Sequence, residues 1–379
     1  MTAPEAGWTA YARRLADSLR ESGDVRSPAW HAALAAVPRH ALVPHAYDQD
    51  NTGHWAAFDT AHALERVYSP ETFFTALETV DGNQVPTSSS TKPDLMMRML
   101  ETLDVRDTHR VLEIGTGTGY NAAVLCHRLG DQRVFSVDVD ADLIDLARER
   151  LAAVGYRPTL RAVDGVGGLA EHAPYDRIIA TCSVPAVPWQ WAEQLSPDGA
   201  ILVDLKLANS AGNLVHLRRS GDRLDGRFTT RWAAFMAMRH DGQLPPDRAE
   251  RASDGCERFT EAPTTPWNDA PIVWFLAQLQ LPRGITQGFE FEEVTRQPTA
   301  TTLSAPDGSW AHVRHADGRV TEAGRTLLWA PIESAHQSWN AIGRPSWDRL
   351  GLTVTSAGEH VVWLDEPDGE HRWALPTVK

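Results

Sequence analysis

The stretch Val111-Leu112-Glu113-Ile114-Gly115-Thr116-Gly117-Thr118-Gly119-Tyr120-Asn121-Ala122-Ala123 constrains this chain more than any other. Residues 111–114 read as a short buried strand, and residues 121–128 as a helix. Glycines between them let the backbone turn tightly and approach a ligand beside a helix N-terminus. The alternation continues with strands at 134–137, 160–163, 177–180 and 200–203 and a helix at 140–154. Strands alternating with helices predict an α/β fold with a mainly parallel sheet and helices on both faces. Such sheets bind ligands at the C-terminal ends of their strands. Asp138 stands there to hydrogen-bond a ribose diol, and Asp164-Gly165 to meet an adenine. The bland alternative makes the acids caps and the glycines mere turns, but three independent features coincide.

The flanks are less regular. Residues 8–21 carry Trp8, Tyr11, Leu15 and Leu19 at helical spacing, and Ser27-Pro28 starts a second helix that stops before Pro38. Residues 48–83 show no clear period, and the polar run 86–91 reads as a loop before a helix at Pro93. Residues 241–266 are rich in Asp, Glu, Arg, Pro and Gly and read as a linker. Beyond it, helices at 271–279 and 333–342 and short strands at 289–291, 310–313 and 361–364 suggest a small α+β domain. The expected organisation is therefore 1–90 (helices and substrate loop), 91–240 (cofactor-binding core), 241–266 (linker) and 267–379 (C-terminal domain).

Charge and cysteine content exclude several classes. The formal net charge is −14, which disfavours phosphate neutralisation and hence nucleic acid as a partner. No apolar run approaches the ~18 residues that span a bilayer, and residues 1–20 lack a signal-peptide pattern. Cys126, Cys182 and Cys256 are odd in number and far apart, which argues against disulfides and a metal cluster and fits a reducing cytoplasm. Eight of the 14 tryptophans lie between Trp267 and Trp373, so the tail holds either an aromatic core or a peptide-binding surface.

The E-x-G-x-G-x-G form, with an acid two residues before the first glycine, differs from the dinucleotide pattern. It resembles motif I of class I S-adenosylmethionine methyltransferases. The closer resemblance is to the protein-L-isoaspartate O-methyltransferases. It is carried by Val37-Pro38-Arg39-His40-Ala41-Leu42-Val43-Pro44, Thr91-Lys92-Pro93, residues 111–123 and Ala173-Pro174-Tyr175-Asp176, in that order. Together these cover about residues 8–205. The resemblance implies a Rossmann-like core with S-adenosylmethionine, later S-adenosylhomocysteine, on Glu113, Gly115, Thr116, Gly117, Thr118, Gly119, Asn121, Asp138, Val139, Asp164 and Gly165. It implies no metal.

Two departures bear on the substrate. Ser88-Ser89-Ser90-Thr91-Lys92-Pro93 stands where the repair enzymes carry a T-I-S-x-P type motif, and residues 241–379 are extra. In these features the chain resembles extended members of the family that accompany ATP-grasp ligases in maturing ribosomally made peptides, the graspetides. That resemblance implies esterification of an ordinary aspartate in a cyclised acidic precursor, followed by aspartimide formation. The alternatives are isoaspartate repair, with the tail serving a homodimer, and a cofactor-binding module without catalysis.

A carboxylate is already ionised at neutral pH, so methyl transfer to it needs position and water exclusion rather than a general base. Ser88, Ser89, Ser90 and Thr91 supply hydroxyls for that task, or merely cap the helix at Pro93. An acidic chain repels an acidic peptide. A confined positive region near Thr91, drawing on Arg39, Lys92 or Arg98, is therefore expected.

Overall fold

The computed structural model describes residues 7–80, 82–239, 250, 252 and 255–376. It forms two compact units. The first takes the described residues up to Cys182, with Pro188–Val203 and the returning pair Met238 and Arg239. The second takes Ser183–Val187, Asp204–Ala237 and the described residues beyond 241. The two units part at Val203–Asp204, with Met238 and Arg239 returning to the first, rather than at the expected 240. Of the expected linker, residues 241–249, 251, 253 and 254 lie outside the described residues.

The first unit opens with α1 (Trp8–Glu21), α2 (Pro28–Ala36) and α3 (Arg39–Leu42). In α1, Leu15, Ala16 and Leu19 share the buried face that their spacing dictates. Ser27 precedes α2 but its hydroxyl makes no cap; Glu101 Oε1 instead accepts the backbone N–H groups of Arg26 and Ser27 at 2.7 and 2.6 Å. The region without a sequence period is a four-stranded antiparallel sheet. It contains β1 (His45–Gln49), β2 (Trp55–Asp59), then α4 (Leu64–Val67), β3 (Phe73–Val80) and β4 (Asn83–Ser90), in the order β2-β1-β3-β4. The polar run expected as a loop is therefore mostly strand, and α5 (Pro93–Thr102) follows it without a side-chain cap.

Next come β5 (Val111–Ile114), α6 (Tyr120–Leu129), β6 (Val134–Asp138), α7 (Ala141–Ala153), β7 (Thr159–Ala162), β8 (Tyr175–Val184), α8 (Trp189–Glu193) and β9 (Leu195–Lys206). The sheet order is β9-β8-β5-β6-β7, and β5 pairs in parallel with both β6 and β8. All four residues of β5 are buried, as a central parallel strand requires. The order places the ends of β5 and β6 side by side, and the cofactor loop springs from that point.

The second unit holds β10 (Gly212–Ser220), β11 (Arg223–Phe228), β12 (Cys256–Phe259), α9 (Pro266–Asp269), α10 (Pro271–Gln278), β13 (Thr286–Phe291), β14 (Pro298–Ser304), β15 (Trp310–Arg314), β16 (Arg319–Ala323), α11 (Ala330–Ala341), β17 (Leu350–Thr355), β18 (His360–Leu364) and β19 (Arg372–Ala374). Strand β12 lies inside the expected linker and pairs with β16. Trp274, Trp329, Trp347 and Trp363 are buried, and Phe228, Phe275 and Trp347 meet with ring centroids 5.4 Å apart. Half of the tail tryptophans therefore form a core, and the other four are partly buried.

Arg39 locks the helical entry to the strand that carries the hydroxyls. Its guanidinium is fully buried. It donates to the carbonyl oxygens of Val67 (2.8 Å), Ser69 (3.2 Å), Glu71 (2.9 Å), Ser90 (3.4 Å) and Thr91 (3.3 Å). Burial lowers its pKa to about 10, which leaves it charged at neutral pH. A lysine ammonium cannot reach the same fan of acceptors. Arg39→Lys should lower the unfolding free energy by about 2 kcal/mol or more, read by urea denaturation. A loss well below 1 kcal/mol would show that the carbonyls do not depend on the guanidinium.

Candidate active site

Glu113 does not line the ligand side of the loop; its carboxylate turns into the core. It accepts from Asn121 Nδ2 at 2.7 Å and from Ser136 Oγ at 2.5 Å. Ser136 Oγ also lies 2.6 Å from Thr116 Oγ1. Because Ser136 spends its one proton on Glu113, Thr116 must donate to Ser136. One buried carboxylate thus ties β5 to β6, to the start of α6 and, through Ser136, to the glycine loop.

The loop needs its glycines. Gly115, Gly117 and Gly119 have φ of +98°, +50° and +83°, in the left-handed region. A Cβ at Gly115 would stand 2.7 Å from Thr181 Oγ1, whose hydroxyl donates to Gly115 O at 2.6 Å. Asp138, at the end of β6, accepts from Gly117 N at 3.0 Å and from Asp140 N at 3.2 Å. A carboxylate offers about four acceptor sites, so Asp138 retains capacity for hydroxyl donors. Val139 follows it, half-buried. Asp164 accepts from Val166 N at 2.9 Å and thereby shapes the turn at Gly165. Gly165 O accepts from Trp191 Nε1 at 2.8 Å, and a Cβ there would stand 2.6 Å from Ile114 Cγ2. Thr118 is buried within the loop. The residues at the strand ends therefore fit an adenosyl ligand: a glycine cradle, a carboxylate with spare acceptor capacity and a floor where only glycine fits.

The four hydroxyl residues divide into two pairs. Ser88 is buried; its Oγ accepts from Thr75 Oγ1 at 3.0 Å. A Cβ at Gly117 would lie 3.7 Å from Ser88 Oγ and 3.8 Å from Ser89 O. Ser88 and Ser89 thus adjoin the cofactor loop. Ser90 Oγ, by contrast, lies 3.4 Å from Arg39 Nη2, and Thr91 offers its carbonyl to the same guanidinium. The expected positive region loses Arg39, because the guanidinium is fully buried and its terminal nitrogens donate to five carbonyl oxygens. Lys92 is half-exposed but pairs with Asp94 at 3.0 Å. Cys182 lies near the loop, its Sγ 3.8 Å from Ile114 O, and the three cysteines form no disulfide. Among the described residues, no group of three or more His, Cys, Asp or Glu side chains could hold a metal ion.

A family model for protein-L-isoaspartate(D-aspartate) O-methyltransferase matches residues 10–231. The chain belongs to that family. It is a class I, S-adenosylmethionine-dependent carboxyl O-methyltransferase. A protein-L-isoaspartate O-methyltransferase of Pelobacter propionicus is 34% identical over 199 residues, covering 52% of this chain and 76% of that one. One from Methanopyrus kandleri is 33% identical, covering 50% and 74%. A solved structure titled protein-L-isoaspartate O-methyltransferase aligns over 94% of this chain and all of that one, with a TM-score of 0.56 at 22% identity, which speaks to fold. No helix among the described residues is long and apolar enough to cross a membrane.

Sequence reasoning missed Thr181, Trp191, Met238 and Arg239, none of which lies in a motif. It also gave Glu113 a ligand-facing role, where the geometry makes it a positioning residue. Burial pushes the Glu113 pKa up to about 7 against the lowering effect of its Ser136 and Asn121 hydrogen bonds. A raised folded pKa means stability present below 4.5 and lost as pH climbs through about 7. Glu113→Gln removes that loss. Between those pH values the wild type should weaken relative to the variant by up to about 3 kcal/mol, read by denaturation at each pH. Parallel curves would show an unperturbed carboxylate.

Proposed function

We propose that this enzyme esterifies an aspartate side-chain carboxylate in a ribosomally synthesised, post-translationally modified peptide, and that the ester then closes to an aspartimide. The observation that carries this reading is the approach of Ser88 and Ser89 to Gly117, which brings a hydroxyl-bearing strand against the cofactor loop. The polar run, a departure from the repair-enzyme pattern, supports a modified peptide as substrate. The second unit does not separate the two readings, since the fold likeness to a structure titled protein-L-isoaspartate O-methyltransferase extends over 94% of this chain. In this reading the second unit serves peptide recognition.

S-adenosylmethionine, when bound, supplies an electrophilic sulfonium methyl. Ser88 and Ser89 hold the acceptor carboxylate by hydroxyl or backbone donors and exclude water from it. A carboxylate oxygen forms the new O–CH3 bond as the C–S bond breaks and its electron pair stays on sulfur. No proton moves in this step, so it requires no general base. In the product, the amide nitrogen that follows the aspartate attacks the ester carbonyl. Methoxide leaves with the amide proton as methanol.

A second reading, repair of isoaspartyl residues, is favoured by the family match over residues 10–231. Incubation with a cyclised acidic precursor should add one methyl and then lose methanol, followed by intact-mass spectrometry. Methylation confined to isoaspartyl peptides, with ordinary aspartate untouched, would instead support repair. Under either reading, Ser88→Ala should slow transfer by about 10-fold or more while S-adenosylhomocysteine affinity, read by calorimetry, stays unchanged.

A further inference from the structure

Met238 and Arg239 return to the first unit beside the cofactor site. A Cβ at Gly165 would lie 3.2 Å from Met238 Sδ, so Met238 flanks the adenine floor. Arg239 reaches in two directions. Its Nη1 lies 3.4 Å from Glu78 Oε1 on β3, and its Nη2 lies 3.4 Å from Asp140 Oδ2. Asp140 is itself wired to the ribose end. Its N–H donates to Asp138 Oδ1 at 3.2 Å, and its Oδ1 caps α7 by accepting from Asp142 N and Leu143 N at 3.1 Å. The chain Glu78–Arg239–Asp140–Asp138 therefore joins the β3–β4 hairpin to the acid that would meet the ribose.

The hairpin has reason to depend on such a tie. It carries Ser88, Ser89 and Ser90, yet its outer residues Glu78, Thr79 and Val80 are exposed. Its register shifts twice, between Phe74 and Ala76 and between Ala76 and Leu77. Its base is held by buried Phe73, Ser88 and Ser90 and by Arg39, so the exposed outer end around Glu78 is the part that a distant tie can set. A fully exposed ion pair would add little. Arg239 is 33% exposed and bridges two carboxylates on different elements, the Asp140 arm sheltered (29% exposed) and the Glu78 arm more open to solvent (57%).

We propose that Arg239 is a positioning residue that couples cofactor binding to the placement of the hydroxyl-bearing hairpin. Occupation of Asp138 by ribose hydroxyls fixes Asp140, Arg239 follows Asp140, and Glu78 draws the hairpin into register over the loop. By linkage, an ordered hairpin tightens cofactor binding by the same factor that the cofactor orders the hairpin. The device acts through the cofactor site and is independent of which peptide is methylated.

Hydrogen exchange of the full chain, with and without S-adenosylhomocysteine, tests it. In the wild type, S-adenosylhomocysteine should slow exchange at residues 73–90 as well as at 115–121. In Arg239→Ala the slowing at 115–121 should remain while that at 73–90 is lost. Affinity should fall about fivefold, with the melting temperature of the free protein unchanged. Glu78→Gln, which leaves the Asp140 contact in place, should lose the hairpin response likewise, and Arg239→Lys should restore part of it. Hairpin slowing that persists in both Arg239→Ala and Glu78→Gln would overturn the coupling. So would a wild-type hairpin that ignores S-adenosylhomocysteine.

Discussion

The buried Glu113 carboxylate is the interaction on which the site depends. An anion in the interior is costly unless donors surround it. Here the donors are an amide on α6 and a hydroxyl on β6, and that hydroxyl in turn receives Thr116. Each donor belongs to a different element, so satisfying one charge fixes three elements at once. The glycine loop cannot relax without breaking this set, because its conformation is spelled out by positive φ at alternate residues. Asp138 then completes the cradle from the far side through Gly117 N. The cofactor end is thus preorganised by buried polar groups rather than by apolar packing alone.

The acceptor end rests on the opposite charge. Arg39 is buried among carbonyl oxygens, with Phe73 and Tyr120 rings at 4.9 and 5.6 Å from its central carbon. Tyr120 opens α6 directly after the loop, so the cation touches both the hydroxyl-bearing segment and the helix that Glu113 anchors. One buried carboxyl and one buried guanidinium, neither paired with the other, hold the glycine loop and the hydroxyl-bearing strand. Glu113 is satisfied by neutral donors, and the two terminal nitrogens of Arg39 by neutral acceptors, while Arg39 Nε is buried without a hydrogen-bond partner. Lys92, neutralised by Asp94, adds little attraction for an acidic peptide.

The parallel half of the fold was legible because its strands are buried runs and its turns are glycines, both of which leave a direct mark on the sequence. The sheet β1–β4 was not. Strand β2 has no buried residue and β3 only one, so neither face imposes an alternation of apolar and polar positions. Strand β12 was hidden in a charged segment for the same reason: Cys256, Glu257 and Phe259 are exposed. Two charged residues take a different place from the one their motifs suggest. Glu113 and Arg39 look like ligand contacts because charge is usually solvent-facing, whereas their hydrogen bonds turn them inward. Arg239 left no local mark, since its partners lie 161 and 99 residues away.

A reaction that moves no proton asks little chemistry of its enzyme. Sulfonium and carboxylate react once aligned and dry, so the chain contributes position, and position is decided where flexible and rigid parts meet. The rigid part is the cradle around Glu113. The adaptable part is the bulged hairpin that presents Ser88 and Ser89. A substrate with an ordinary aspartate and one with an isoaspartate differ by one backbone carbon between carboxylate and chain, a displacement of about 1.5 Å. Shape alone can resolve that difference only if the hairpin is held to a comparable tolerance. The identity of the methylated residue is therefore a question about how firmly β4 is held against Gly117, more than about any single catalytic side chain.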